Sequence, residues 1–256
     1  MMIETHCHLD YLKAEPLEEI RRKIKEAGIT KIVTIGVDPE NLDKVMDLSN
    51  TYEEIYFTQG IHPHDAKEAT EVEFNKIIER SRMPKMVAVG EIGLDYHYNN
   101  SPPEIQRAMF EKQLQIACDQ DLPVVIHTRE ADEDTKSILR NFSSTLKRKG
   151  VIHSFTSTID LAEFVLSEGF HIGFNGIITF KKAENVQEVV KITPAERILF
   201  ETDSPFLTPV PHRGKENAPF YLPFVAAKIA ELKNVDLEQL KTTVFHNSLR
   251  CFPKLA

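Results

Sequence analysis

MVAVGEIGLDYHYNNSPPEIQRAMFEKQLQIACDQDLPVVIH, residues 86–127, holds the pattern that decides the fold. Its two ends, MVAVGEI (86–92) and LPVVIH (122–127), are short β-branched runs of the kind that form buried strands. Between them SPPEIQRAMFEKQLQIACDQ (101–120) opens on Ser-Pro and continues as mixed polar and apolar residues, which is a helix start signal. Strand, helix and strand at these lengths make a βαβ unit, whose strands run parallel.

Outward from that stretch the same unit recurs. Further strand-like runs are MIETH (2–6), ITKIVTIGV (29–37), IYFTQGI (55–61), GVIHS (150–154), FHIGFNG (170–176) and RILFETD (197–203), which brings the total to eight. Helical stretches lie between them, such as EPLEEIRRKIKEAG ending on Gly28 and DPENLDKVMDLSN opening on Asp38-Pro39. Eight such units predict an α/β fold of the (β/α)8 TIM-barrel type, one domain spanning 1–256. An open doubly wound sheet is the alternative.

Composition agrees with a sizeable core: 41% of the 256 residues are hydrophobic and 27% charged, with the 14 prolines scattered and no repeat or linker. The first residues lack a basic stretch followed by an apolar one, and no run approaches the roughly 18 apolar residues of a membrane span. A cytoplasmic protein without a membrane partner is expected, and a monomer. Cys7, Cys118 and Cys251 lie far apart without a C-x-x-C pair, so neither a disulfide framework nor a cysteine-rich zinc site is expected. The three read as small buried apolar side chains. The formal net charge of −8 argues against a broad nucleic-acid surface.

Most strand-like runs finish in a polar, reactive group: His6 and His8 at the first, Glu91 at the fourth, His127 at the fifth, His153 at the sixth and Asp203 at the eighth. In a parallel barrel all strand C-termini open on one face, so these residues can share a pocket. Residues two apart in a strand point the same way, which lets His6 and His8 reach one ion while Cys7 points elsewhere. Four histidines and two carboxylates are a donor set for two divalent ions. One ion would take His6, His8 and Asp203 and the other His127 and His153, with Glu91 bridging. Ions about 3.5–4 Å apart would acidify a shared water for attack on a phosphoryl group.

Taken singly, each member has a blander reading. His127 and His153 could be satisfied core histidines, and Asp203 in ETDSP could cap a turn before Pro205. Glu91 follows the apolar VAVG, where a lone buried charge would be costly. Their common placement at strand ends favours the metal reading. In GIHPHD, Pro63 indicates a loop, so His62 is expected to contact a substrate oxygen, and His64 is a weaker candidate of the same kind. Arg129 could fork onto a phosphate or pair with Glu130 or Asp132, and Arg213 in VPHRGKENAP (210–219) offers a cation beside the pocket or lies in a solvated turn. His97, His171 and His246 fall outside the set. No G-x-S-x-G, H-E-x-x-H, G-x-G-x-x-G or Walker motif is present.

The ordered series THCHLD, GIHPHD, VAVGEIGLDYH, PVVIHTREA, GVIHSF, GFHIGFNGIITFKK and ETDSPFLTPVPHRGKENAP, with VFHNSLRCF near the end, resembles the TatD family of metal-dependent deoxyribonucleases in the amidohydrolase superfamily. The resemblance covers nearly the whole chain. It implies a TIM barrel, metal ligands at His6, His8, Glu91, His127, His153 and Asp203, and His62 facing the scissile phosphate. It also implies hydrolysis of DNA phosphodiesters, commonly from ends, with magnesium or manganese as the working ions and zinc as an ion that a histidine-rich site can retain. Glu91 and Asp203 would act with His62 as the catalytic groups. Ser157 in SFTST stands where many relatives carry glycine, which puts the shape of that loop in question.

Charge limits how such a substrate would bind. Two divalent ions bring four positive charges and the two ligand carboxylates remove two, which suits one phosphodiester. An acidic body then favours a frayed or single-stranded end, of DNA or of RNA, with weak salt dependence. Two rivals stand: an amidohydrolase acting on a small amide, lactone or ester or on an aminoacyl ester at an RNA end, and a metal-holding scaffold. The first usually bridges its ions with a carbamylated lysine, and no strand-end lysine is evident. The second would saturate its ions with protein donors, whereas this set leaves positions open.

Overall fold

A computed structural model describes residues 1–256. Eight strands, β1 (Met2–Cys7), β2 (Ile29–Thr34), β3 (Ile55–Gln59), β4 (Met86–Asp95), β5 (Val124–Arg129), β6 (Gly150–Ile152), β7 (His171–Phe174) and β8 (Ile198–Phe200), form one sheet in sequential order. Every neighbouring pair is parallel. A doubly wound sheet reverses its order at a switch point, and this one does not, so the expected barrel holds and the open-sheet alternative does not. The helices between and after the strands are α1 (Leu17–Glu26), α2 (Leu42–Thr51), α3 (Glu71–Arg80), α4 (Pro103–Asp119), α5 (Asp132–Asn141), α6 (Ile159–Ser167), α7 (Glu184–Ile192), α8 (Leu222–Lys233) and α9 (Leu237–Cys251). None is long and apolar enough to cross a membrane.

Local sequence explains the helix layer. In α1 Ile20 and Ile24 are buried four residues apart, while Glu18, Glu19, Arg21 and Arg22 pair along the outer side. Thr70 and Glu73 close a capping box at the start of α3, and the Thr158 hydroxyl accepts from the Leu161 amide to cap α6. The buried helix faces and the outward strand residues, such as Ile32, Phe57, Ile126 and Phe200, share one large apolar cluster. Cys7 lies in that cluster and Cys251 is also buried, but Cys118 on α4 is only half-buried, 3.8 Å from the Thr145 hydroxyl.

A smaller cluster fills the barrel's interior, where Ile3, Val33, Val87, Val125, Val151 and Leu199 meet Phe252 and Leu255 beyond α9. These interior positions set the site. Two residues past Val125 and Val151 come His127 and His153; two and four past Leu199 come Glu201 and Asp203. The period of two keeps them on the barrel's inner side, above an apolar floor.

Two strand ends depart from the sequence expectation. β4 runs on past residue 92 to Asp95, and its register with β5 slips between Gly90 and Ile92, so Glu91 occupies a β-bulge. Gly93 permits the extension, because a Cβ there would lie 2.0 Å from the His127 carbonyl oxygen. The other departure is at the seam: the ladder of paired strands does not continue from β8 to β1. There the Asp203 amide donates to the His6 carbonyl (2.9 Å), the His8 amide to that of Ser204 (2.8 Å), and the Thr5 hydroxyl to that of Phe200 (2.8 Å).

Candidate metal centre

The six candidate ligands come from five different strands and their ends, yet their polar atoms converge. Glu91 is the focus. Its Oε2 lies 3.4 Å from His6 Nε2, and its Oε1 lies 3.1 Å from His127 Nδ1 and 3.2 Å from His153 Nε2. Asp203 approaches from the other side of the seam, with Oδ1 3.7 Å from His6 Nε2 and 3.5 Å from His8 Nε2. The His6 and His153 rings stack at 3.6 Å, nearly parallel at 9°. The two oxygens of one carboxylate thus face two different sets of imidazoles, His6 on one side and His127 with His153 on the other. Asp203 gathers His6 and His8 into the first set.

Which ring nitrogen points inward is decided one layer out. His127 turns Nε2 onto Asp95 Oδ2 at 3.0 Å, which leaves Nδ1 for the centre. His153 turns Nδ1 toward Glu201 Oε1 at 3.3 Å, which leaves Nε2. A carboxylate on the far nitrogen fixes both tautomer and ring orientation and raises the basicity of the inward lone pair. Asp95 also holds His64 Nε2 at 3.0 Å, and Glu201 accepts from the Ser154 amide at 2.5 Å. Gly173 on β7 makes room for Glu201, since a Cβ there would fall 2.3 Å from its Oε2. Neither Asp95 nor Glu201 was singled out from the sequence.

His62 sits closer to the centre than a loop histidine need, with Nε2 3.4 Å from Glu91 Oε1. Its Nδ1 accepts the His64 backbone amide at 3.1 Å, so the ring proton is on Nε2 and points inward. That geometry makes His62 a donor rather than a lone-pair ligand. Burial, with His127 and His64 adding to it, pushes its pKa down to about 4 against the opposing pull of Glu91, so the ring is neutral. Arg129 does not pair with Glu130 or Asp132: its guanidinium lies 4.8 Å over the Tyr98 ring, Glu130 binds His97, and Asp132 accepts from the Thr158 hydroxyl. His62, His64 and Arg129 all line the same cavity of about 730 Å³ as His8, Glu91, His127, His153 and Asp203. Arg213 does not. It stacks 3.8 Å over Phe180 and lines an adjoining groove instead.

The electrostatics of the centre suit cations. Burial alone would raise the Glu91 carboxyl, but His153, His62 and His127 outweigh it and hold the group well below the usual carboxylate range. The Asp203 carboxyl is likewise drawn down, with His8 the leading influence against burial. Burial would lower His153, His127 and His8 as well, yet their carboxylate neighbours push all three up. His6 alone goes down, through burial and the neighbouring His153. Carboxylates and imidazoles that favour positive charge across gaps of 3–4 Å favour a divalent cation in the same gaps. Two buried nitrogens of His6 and the Nδ1 of His8 also lack any hydrogen-bond partner. The donors are nitrogen and oxygen only, which suits zinc, manganese and their neighbours.

Asp95 and Glu201 did carry a signal. Counting on in twos from Glu91 reaches Asp95, and back in twos from Asp203 reaches Glu201. The same rule links Glu4 to His6; Glu4 is fully buried, and its carboxylate accepts the His6 amide at 3.0 Å and the Thr202 amide at 2.9 Å. Burial pushes the Glu4 carboxyl well up.

Comparison with known proteins places this chain in a wider set. The family model described as TatD related DNase matches residues 3–253. The uncharacterized metal-dependent hydrolase YabD of Bacillus subtilis is 39% identical over 253 residues, covering 98% of this chain and 99% of that protein. The uncharacterized metal-dependent hydrolase YcfH of Escherichia coli K12 is 35% identical over 255 residues, covering 98% and 95%. Among solved structures, YJJV, a TatD homologue from Escherichia coli K12, superposes with a TM-score of 0.92 at 30% identity, covering 98% of each chain.

Proposed function

The chain belongs to the TatD-related DNase family of metal-dependent hydrolases, and from that premise we propose that it hydrolyses DNA phosphodiester bonds as an exonuclease on single-stranded or frayed ends. The observation that carries the reading is Glu91, whose two carboxylate oxygens face two separate imidazole sets at 3.1–3.4 Å. That is the arrangement of a carboxylate shared between two cations. His6, His8 and Asp203 would hold one, His127 and His153 the other. Bound there, divalent ions supply Lewis acidity that makes water a nucleophile near neutral pH and offsets charge on the phosphoryl oxygens.

The remaining steps belong to side chains. His62 presents its Nε2–H toward the centre and would donate to a phosphoryl oxygen, a contact that strengthens as charge builds there during displacement. Because the ring is neutral, it adds a directed hydrogen bond without a competing net charge. Asp95 keeps the His127 ring from turning, and Glu201 does the same for His153. Arg129, laid on Tyr98 at the cavity wall, would orient the diester through its guanidinium edge. No lysine lines the cavity, which supports Glu91 rather than a carbamylated lysine as the bridge.

The test assays single-stranded, frayed and blunt duplex DNA beside a panel of small carboxylic esters, with Mg²⁺, Mn²⁺, Zn²⁺ or chelator. End-dependent release of nucleotides, lost with chelator, is the expected result. Glu91→Gln should lower turnover by more than the roughly 10–100-fold typical of changes one layer out, with the circular dichroism spectrum preserved. Ester turnover with intact DNA under every ion would overturn the reading.

A further inference from the structure

Three cavities open side by side on the face formed by the strand C-termini, and Thr156 lines all of them. One of them holds the candidate metal centre. Its two neighbours carry opposite charge.

On one side a groove of about 750 Å³ is lined by Glu130, Asp132, Glu133, Asp134 and Glu188 with a single cation, Arg129. On the other a groove of about 570 Å³ is lined by Lys181, Lys182 and Arg213 with no acidic residue at all. It joins the metal cavity through Ile177 as well as Thr156. Lys181 and Lys182 come from the loop between β7 and α7, and Arg213 from the loop between β8 and α8. All three are exposed, and none has a carboxylate partner within ion-pair distance. In a protein of net charge −8, three cations meeting without an acidic residue in one groove beside the centre run against the overall charge.

The groove also has a floor suited to bases. Ile177, Phe180, Ala183, Val186 and Val210 supply half its lining, and Arg213 already lies over the Phe180 ring, from where its guanidinium N–H groups can meet an oxyanion. At the mouth of the metal cavity Phe206 is 52% exposed. Aromatic and guanidinium faces beside a cationic track are how single strands are held without sequence preference.

Resting on the reading of the centre as a DNA phosphodiesterase, we infer that the strand adjoining the scissile phosphate runs from the metal cavity over Ile177 and Phe180 into the basic groove. Lys181, Lys182 and Arg213 take its next phosphates, and the acidic groove repels it. The substrate class is therefore a single strand several nucleotides long, preferred over an isolated diester.

The experiment compares kcat/KM for oligo-dT of two to eight nucleotides with that for bis(p-nitrophenyl) phosphate, in the unmodified protein and in Lys181→Glu/Lys182→Glu/Arg213→Glu. In the unmodified protein the ratio should climb with length and then level off. In the triple variant it should fall by at least about tenfold, mainly through KM, and the salt slope of oligonucleotide binding should drop by about 2, the value for three phosphates on a single strand. A matched control reverses the other groove with Glu133→Lys/Glu188→Lys, which should raise the ratio or leave it alone. A ratio and salt slope insensitive to the triple variant, or collapse in the control instead, overturns the strand path while DNA cleavage itself persists. Absence of any oligonucleotide cleavage alongside carboxylic ester turnover removes the phosphodiesterase reading, and the path with it.

Discussion

At the scale of single residues, the centre depends on which nitrogen each histidine turns inward, and carboxylates outside the donor set make that choice. Asp95 is nearly inaccessible and holds two histidines at 3.0 Å each, His127 of the candidate donor set and His64 at the cavity wall. These contacts outweigh the effect of burial and keep its carboxyl far below the usual range. Asp95→Asn retains size and the hydrogen bonds to the Tyr98 amide and the Gln106 amide network, but it removes the charge that orders the His127 tautomer. Divalent-ion affinity should fall by about 10–100-fold, with a smaller loss in melting temperature than in affinity. Competition titration against a chromophoric chelator measures it. Unchanged affinity would show that the His127 ring is fixed by packing instead.

At the scale of strands and helices, β-branched runs ended by reactive side chains made the barrel and six of its inward groups readable, because both are local patterns of period two. What escaped reading was non-local. β4 looked finished at residue 92, whereas Gly93 lets the His127 carbonyl come close and the strand continues to Asp95. Glu201 looked like part of a strand, and only His153 from a different strand explains why a carboxylate can be buried there. The cations of the basic groove lie on two loops whose proximity no spacing reveals. His171 was set aside from the metal set, and it opens β7 at the end of the barrel away from the centre, with Arg197 and Arg250 among its neighbours. Burial first, and those two arginines next, push its pKa down to about 4 from the usual 6.5, against a hydrogen bond to the Gly150 backbone. A histidine depressed on folding takes its proton earlier in the unfolded chain, so stability falls as pH drops through 6.5 and levels off below about 4. The unfolding free energy of the native protein should lose on the order of 3 kcal/mol more than that of His171→Gln between pH 7 and pH 4. Urea titrations of the two proteins across that range decide it, and parallel curves would count against a neutral buried His171.

At the scale of the whole molecule, the barrel and the centre share one weak line. Seven strand pairs are joined by parallel ladders, but β8 meets β1 through only a few bonds near Thr5, His6 and His8. The candidate donors straddle that line: His6 and His8 lie on one side and Asp203 on the other, its Oδ1 within 3.7 Å of both imidazoles. An ion gripped by all three would fasten the seam as well as equip the centre for chemistry. Ligand that binds only the folded state stabilises it by about 2.7 kcal/mol at a hundred times its dissociation constant. For a chain of this length that corresponds to a rise of about 5–10 °C in melting temperature. Calorimetry with saturating Mn²⁺ or Zn²⁺ against excess chelator should show that rise, and hydrogen exchange should locate the added protection at residues 3–8 and 201–204 before the other strands. The coupling is specific to the seam only if Asp203→Asn abolishes both the thermal gain and the local protection while His127→Gln, whose ring meets Glu91 and Asp95 rather than the junction, leaves part of each. A uniform gain across all eight strands would mean that the ion steadies the barrel generally and that the seam closes without it.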